Sequence, residues 1–239
     1  MPTPTSSSVS QSVNIAENLL QIQKNIKQFC EKYHRSPVNV HLLAVSKTKP
    51  ADDIRAAFNA GQTSFGENYL QEALEKINNL RDLQIEWHFI GSVQSNKTRD
   101  LAEHFAWVHS VDRYKIARRL SEQRPETLPP LNICLEINIS DEASKSGMSL
   151  AELEEIVDDI ALLPNITLRG LMAIPAKADT LNEQRAIFAK IKQALLTLQQ
   201  KYPELDTLSM GMSNDMEAAI AEGSTILRIG TAIFGARNT

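Results

Sequence analysis

Eight times between residues 40 and 229 a short apolar run gives way to a polar turn or a stretch of helical periodicity, and this alternation sharply restricts the folds open to the chain. Strands are read at 40 to 46, 63 to 66, 86 to 91, 106 to 110, 132 to 138, 167 to 174, 206 to 210 and 225 to 229. Helical stretches separate them at 50 to 61, 69 to 80, 94 to 104, 113 to 124, 149 to 162, 180 to 202 and 214 to 222. Crossovers long enough to hold a helix favour parallel strands, so the expected fold is α/β: a single (β/α)8 barrel of the TIM type. Ile15, Leu19, Leu20, Ile22, Ile26 and Phe29 recur at helical spacing and predict an amphipathic helix over 13 to 33, ahead of the first strand. The rival doubly wound sheet marks its first strand with a Gly-rich turn, whereas this chain has Ser46-Lys47-Thr48-Lys49-Pro50 there. No Pro/Gly-rich linker interrupts the middle of the chain, so residues 13 to 239 are read as one domain.

Composition narrows the classes of partner. The net charge is −4, with 25 basic and 29 acidic residues mixed along the chain, and no basic block favours nucleic acid or an anionic membrane. No apolar run approaches the roughly 20 residues that span a bilayer. Residues 1 to 12, rich in Ser, Thr and Pro, lack the signal-peptide pattern and read as a disordered tail. Cys30 and Cys134 form neither a disulfide framework nor a metal motif, which suits a reducing cytoplasm. The five histidines are scattered without metal-ligand spacing, so no metal site is expected.

In such a barrel the residues just after each strand build the site. Strand parity places Lys47 on the same side as Leu43 and Val45. A lysine in apolar surroundings suits imine chemistry, because burial favours the neutral amine that attacks carbonyls. By location alone, however, a solvated strand flank is the commoner reading. Ser213, in Ser209-Met210-Gly211-Met212-Ser213-Asn214-Asp215, is first of all a helix cap, although a capped helix start also offers N–H groups to an anion. Gly230 and Thr231 follow the eighth strand, and barrels often build a phosphate site from the loops after strands seven and eight. Arg228 shares parity with Ile226 and should point to the barrel mouth, with Glu67 or Glu136 as ion-pair partner in the bland reading. His88, between Trp87 and Phe89, reads as a core histidine.

Seven ordered motifs resemble the pyridoxal phosphate homeostasis proteins, single-domain relatives of the N-terminal barrel of alanine racemase. They are Ala44-Val45-Ser46-Lys47-Thr48, Phe65-Gly66-Glu67-Asn68-Tyr69, Trp87-His88-Phe89-Ile90-Gly91 with Gln94, Asn96 and Lys97, Ser144-Lys145-Ser146-Gly147, Gly170-Leu171-Met172, Gly211-Met212-Ser213, and Arg228-Ile229-Gly230-Thr231 with Phe234-Gly235. The resemblance covers residues 15 to 237. It implies pyridoxal 5'-phosphate as cofactor, held by Lys47 as an internal aldimine. It also implies a phosphate held by Ser213, Gly230 and Thr231, a pyridine nitrogen facing Arg228, and Asn68 beside the ring.

An arginine at the pyridine nitrogen disfavours protonation of the ring and weakens it as an electron sink. The resemblance further implies that the racemases take a tyrosine base from a second domain and a partner subunit. This chain ends at Thr239, so a two-base racemase is not expected. The leading expectation is a cytoplasmic, monomeric cofactor holder without turnover that contributes to intracellular pyridoxal phosphate homeostasis, releasing its cofactor to pyridoxal phosphate-dependent apoenzymes or limiting its free level. A pyridoxal phosphate-dependent racemase and a cofactor-free Schiff-base aldolase stay open as alternatives. Lys145, in a polar loop, reads as solvated.

Overall fold

The first strand, β1 (His41–Val45), lies beside the last, β8 (Ile226–Ile229), with Leu43 opposite Arg228 and Ala44 opposite Ile229, and this pairing closes a barrel. The computed structural model describes residues 13–139 and 146–236; the expected tail at 1–12 and Lys145 lie outside the described residues. Between β1 and β8 come β2 (Ser64–Glu67), β3 (Glu86–Phe89), β4 (Trp107–Val111), β5 (Leu131–Glu136), β6 (Ile166–Met172) and β7 (Thr207–Ser209). Every strand pairs in parallel with its sequence neighbour, as the helical crossovers require. The expected eight-stranded barrel is the observed one.

The helices are α1 (Ile15–Lys32), α2 (Ala51–Asn59), α3 (Leu70–Asn79), α4 (Thr98–His104), α5 (Tyr114–Gln123), α6 (Leu150–Ala161), α7 (Leu181–Gln199), α8 (Met216–Ala221) and α9 (Thr231–Phe234). Strand alternation divides the apolar residues into two cores. Leu43, Ile90, Trp107, Cys134, Met172 and Ile226 pack together inside the barrel. Residues of the other parity, among them Ala44, Phe65, Val108, Ile133 and Leu227, join the helices in the larger outer core. The terminal helices close the seam: Asn18 of α1 donates to the carbonyl of Ile233 in α9 across 2.9 Å.

Three local differences from the sequence reading affect the site. The first strand ends at Val45, so Lys47 stands in the turn beyond it. The fourth helix starts only at Thr98, after a 3-10 turn over Ser95–Lys97. Finally, α9 follows directly on β8, where the sequence reading has no helix; one turn is too short to show a helical period.

Candidate functional site

The turn that carries Lys47 is gripped from below by α3. Ser46 donates its hydroxyl to Glu67 Oε1 at 2.6 Å, and Lys76 Nζ donates to the Ser46 carbonyl at 2.7 Å, to Glu67 Oε1 at 2.8 Å and to Glu72 Oε1 at 2.5 Å. The amide of Thr48 donates to the same Glu72 oxygen at 2.6 Å. These bonds hold Thr48 at φ 63°, a left-handed conformation that a β-branched residue adopts only when its surroundings impose it. From the side, Lys49 donates to the carbonyls of Phe234 and Ala236 at 2.9 and 2.8 Å, tying the turn to α9. Lys47 is half-buried between two anchored neighbours. Burial pushes the Glu67 carboxyl up, while the Lys76 ammonium and the Ser46 hydroxyl pull it down.

Arg228 lies in the barrel interior, as parity predicts, and is only 5 % exposed. Neither Glu67 nor Glu136 is its hydrogen-bond partner. Its Nη1 donates to the Ser209 carbonyl at 2.5 Å and to Ser209 Oγ at 2.8 Å, and its Nη2 donates to the Ala173 carbonyl at 2.9 Å. Glu67 has the opposite parity from Gly66, which packs against Leu43 and Ile90 inside, so its carboxyl faces α3 instead. Burial lowers the Arg228 guanidinium to about 10, a value that still leaves it cationic at neutral pH. Glu136, at the end of β5, feels Arg228 only through space, and burial pushes its carboxyl up to about 7.

Two loops flank Arg228. In the one after β7, Gly211 takes φ 98°, and a Cβ there would lie 2.5 Å from the Ala219 Cβ. Its carbonyl accepts from the Arg228 amide at 3.0 Å. Ser213 is not the cap of α8: that position belongs to Asp215, whose carboxylate accepts from the Met212 amide at 2.5 Å. The turn extends two residues further than a Ser213 cap would allow, and Ser213 is half-exposed on it. In the loop after β8, Gly230 presses on β1; a Cβ would sit 3.1 Å from the Val45 carbonyl oxygen. Ile233 and Phe234 both donate to the Gly230 carbonyl, so α9 itself leaves the amides of Thr231 and Ala232 unused. On the other side of β1, Gly91 packs so closely on the Asn68 backbone that a Cβ would lie 2.1 Å from the Asn68 carbonyl oxygen. Asn68 Oδ1 is buried without a hydrogen-bond partner among the described residues.

Strand order therefore gathers Lys47, Asn68, Arg228, Gly230 and Thr231 at the ends of the adjacent strands β1, β2 and β8, with Ser213 one strand further round. An amine, unused amides beside a hydroxyl, a buried cation and an orphaned carbonyl suit a flat ligand with a carbonyl and an anionic group. By contrast, a cavity of about 530 Å³ at the N-terminal end of the barrel has its charges already satisfied. There Arg169 bonds Asp206 and Asn132, and Arg35 bonds the carbonyls of Ile220 and Ser224.

Comparison with known proteins shows the family. The alanine racemase N-terminal domain family matches residues 18–238. A pyridoxal phosphate homeostasis protein of Pseudomonas aeruginosa is 57% identical over 224 residues, spanning 94% of this chain and 96% of that protein. The chain belongs to the pyridoxal phosphate homeostasis protein family. The Escherichia coli K12 member is 54% identical over 228 residues, spanning 94% of this chain and 97% of its own. Among solved members of the fold, PipY of Synechococcus elongatus with PLP bound superposes with a TM-score of 0.82 at 39% identity, covering 92% of this chain and 100% of PipY. Alanine racemase of Corynebacterium glutamicum, at 18% identity and a TM-score of 0.68, shares the fold; the match covers 95% of this chain and 61% of the racemase.

Sequence reasoning passed over the Ser46–Glu67–Lys76–Glu72 cluster. Glu72 and Lys76 have helical i, i+4 spacing, and that signal reads as an ordinary surface pair until α3 is placed under the turn.

Proposed function

We propose that this chain binds pyridoxal 5'-phosphate at the barrel mouth through a covalent link to Lys47 and serves to hold and release the cofactor, without turnover. The observation that carries the reading is the register of β1 against β8, which brings the Lys47 turn alongside Arg228 and the Gly230–Thr231 step. In this reading Lys47 would supply the amine that holds the cofactor aldehyde, with water as the leaving group. Ser213, Gly230 and Thr231 would hold the phosphate, Asn68 would sit beside the ring, and Arg228 would serve the pyridine nitrogen. The cofactor, when bound, supplies an aldehyde and an electron-withdrawing ring.

Arg228 supports a holding role over carbanion chemistry in this reading. Three hydrogen bonds to Ser209 and Ala173 fix a cation in the barrel, and a cation facing the pyridine nitrogen disfavours the ring protonation that strengthens an electron sink. Reversible attachment is the role this reading assigns. PipY, solved with PLP bound, and the homeostasis relatives support this reading.

The same proposal has the protein acting as a monomer in the reducing cytoplasm and passing its cofactor to pyridoxal phosphate-dependent apoenzymes. The buried, unpaired thiols of Cys30 and Cys134 agree with that compartment, and no described helix is long and apolar enough to cross a membrane. Titration with pyridoxal phosphate tests the central assignment. The expected result is a visible absorbance band that Lys47→Ala abolishes; a full band in the variant removes Lys47 as the anchor. Solvent deuterium entering the α-carbon of added amino acids would instead support a racemase.

A further inference from the structure

Beneath Arg228 a line of polar side chains runs down the interior of the barrel. Arg228 Nη1 lies 2.8 Å from Ser209 Oγ, which lies 2.7 Å from His109 Nδ1. His109 Nε2 is 2.9 Å from His88 Nδ1, and His88 Nε2 is 2.8 Å from Glu86 Oε1. Glu86 and His88 line the cavity at the N-terminal end, so the line crosses from one end of the barrel to the other. Its middle is buried and tightly held. Both imidazoles are buried; His88 stacks on Trp107 at 5.4 Å with 6° between the planes, and Arg169 sits 4.8 Å from the same indole.

The hydrogens in this line can run in one direction only. A guanidinium donates and never accepts, so Ser209 Oγ accepts from Arg228, but its second lone pair could equally take an N–H, and the Glu86 carboxylate sets the direction. His88 donates from Nε2 to Glu86, its Nδ1 accepts from His109 Nε2–H, and the bare Nδ1 of His109 accepts the Ser209 proton. The reverse order would set the bare Nε2 of His88 against a carboxylate. The hydrogen bond from His88 holds the Glu86 carboxyl below its ordinary value, and burial lowers both imidazoles, against Glu86 and with His41 at His88, and with His88 and Arg228 at His109. Cation and carboxylate thus terminate a chain of aligned donors.

We infer that His109 is a positioning residue for Arg228: by taking the Ser209 proton it turns the Ser209 lone pairs to the guanidinium, and His88 with Glu86 fixes the tautomer that allows this. The arginine is thereby held in one orientation, and its remaining N–H groups have no hydrogen-bond partner among the described residues. The functional meaning rests on the proposal that Arg228 faces the pyridine nitrogen, but the chain belongs to the protein alone.

Nuclear magnetic resonance of the 15N-labelled protein without cofactor tests it at neutral pH. The expected result is Nε2–H tautomers for both His88 and His109 and separately resolved Nη signals for Arg228. Those signals should merge in Ser209→Ala and His109→Phe and return in His109→Gln, which keeps one acceptor and one donor. In the loaded protein, Ser209→Ala and His109→Phe should each release pyridoxal phosphate about tenfold faster and move its visible absorbance, with the double variant no worse than either single. An Nδ1–H tautomer at His109 in the unaltered protein overturns the inference. So do unchanged Arg228 signals in a folded Ser209→Ala protein. The tautomer measurement needs neither a variant nor the cofactor, so its failure is separate from a failure of pyridoxal phosphate to bind.

Discussion

Lys76 Nζ donates to the Ser46 carbonyl across 2.7 Å, so a buried ammonium on α3 fixes the residue that immediately precedes Lys47. The same ammonium bonds Glu67 and Glu72, and the lysine is 5 % exposed. The position of the proposed anchor is therefore set by a helix that carries none of the proposed site residues.

Removing that ammonium should be costly. Lys76→Met leaves the buried Glu67 carboxylate without its counter-ion and is expected to cost about 3–5 kcal/mol in chemical denaturation. Pairing it with Glu67→Met should recover much of the loss, since two apolar side chains leave no uncompensated charge. A double variant as unstable as the single would show that the pair does more than balance its own charges.

Glu136 gives the protein a pH dependence of its own. Burial, reinforced by Asp112 and opposed by Arg228, raises its carboxyl from 4.5 to about 7. A folded-state value above the unfolded one means that the native protein binds the extra proton between them. Stability attributable to this group therefore falls as pH rises from 4.5 through about 7, and the penalty is complete above that window. Glu136→Gln should be more stable than the unaltered protein by about 2–3 kcal/mol at mildly alkaline pH, with the difference vanishing in acid. An equal difference at every pH would rule out titration as its cause.

Backbone contacts at the mouth leave no room for side chains. Gly211→Ala would bring a Cβ to 2.5 Å from Ala219 at φ 98°, and Gly91→Ala would drive one to 2.1 Å from the Asn68 carbonyl oxygen. Gly211→Ala should cost about 1–3 kcal/mol from backbone strain alone, Gly91→Ala should destabilise by pushing the Asn68 backbone aside, and both should weaken pyridoxal phosphate binding, whereas Gly61→Ala, at φ 96° in open space, should cost stability without weakening binding. Equilibrium unfolding and cofactor titration on the three variants separate the two effects.

Much of this was legible in the sequence because strand alternation and helix spacing are local signals. Parity alone turned Arg228 into the barrel, and the order of units placed the loops after β7 and β8 beside the Lys47 turn. Partners were harder to read. Glu67 and Glu136 stand at strand ends like Arg228, but Glu67 faces outward to α3, a distinction that depends on knowing which side of β2 is the inside. Ser213 was read as a cap because serine often is one; Asp215 took that place through a bond to Met212 that only the turn geometry reveals. The bond between His109 and Ser209 joins residues 100 positions apart, and no sequence period marks it.

The central claim is that Lys47 is the covalent anchor. Reduction of the pyridoxal phosphate-loaded protein with borohydride, followed by peptide mass measurement, tests it most directly, because it fixes the ligand to whichever lysine holds it. The account predicts one pyridoxyl phosphate group on the peptide containing Lys47. A label on Lys49 or Lys145 with Lys47 unmodified, or a bound cofactor that reduction fails to attach, would contradict it.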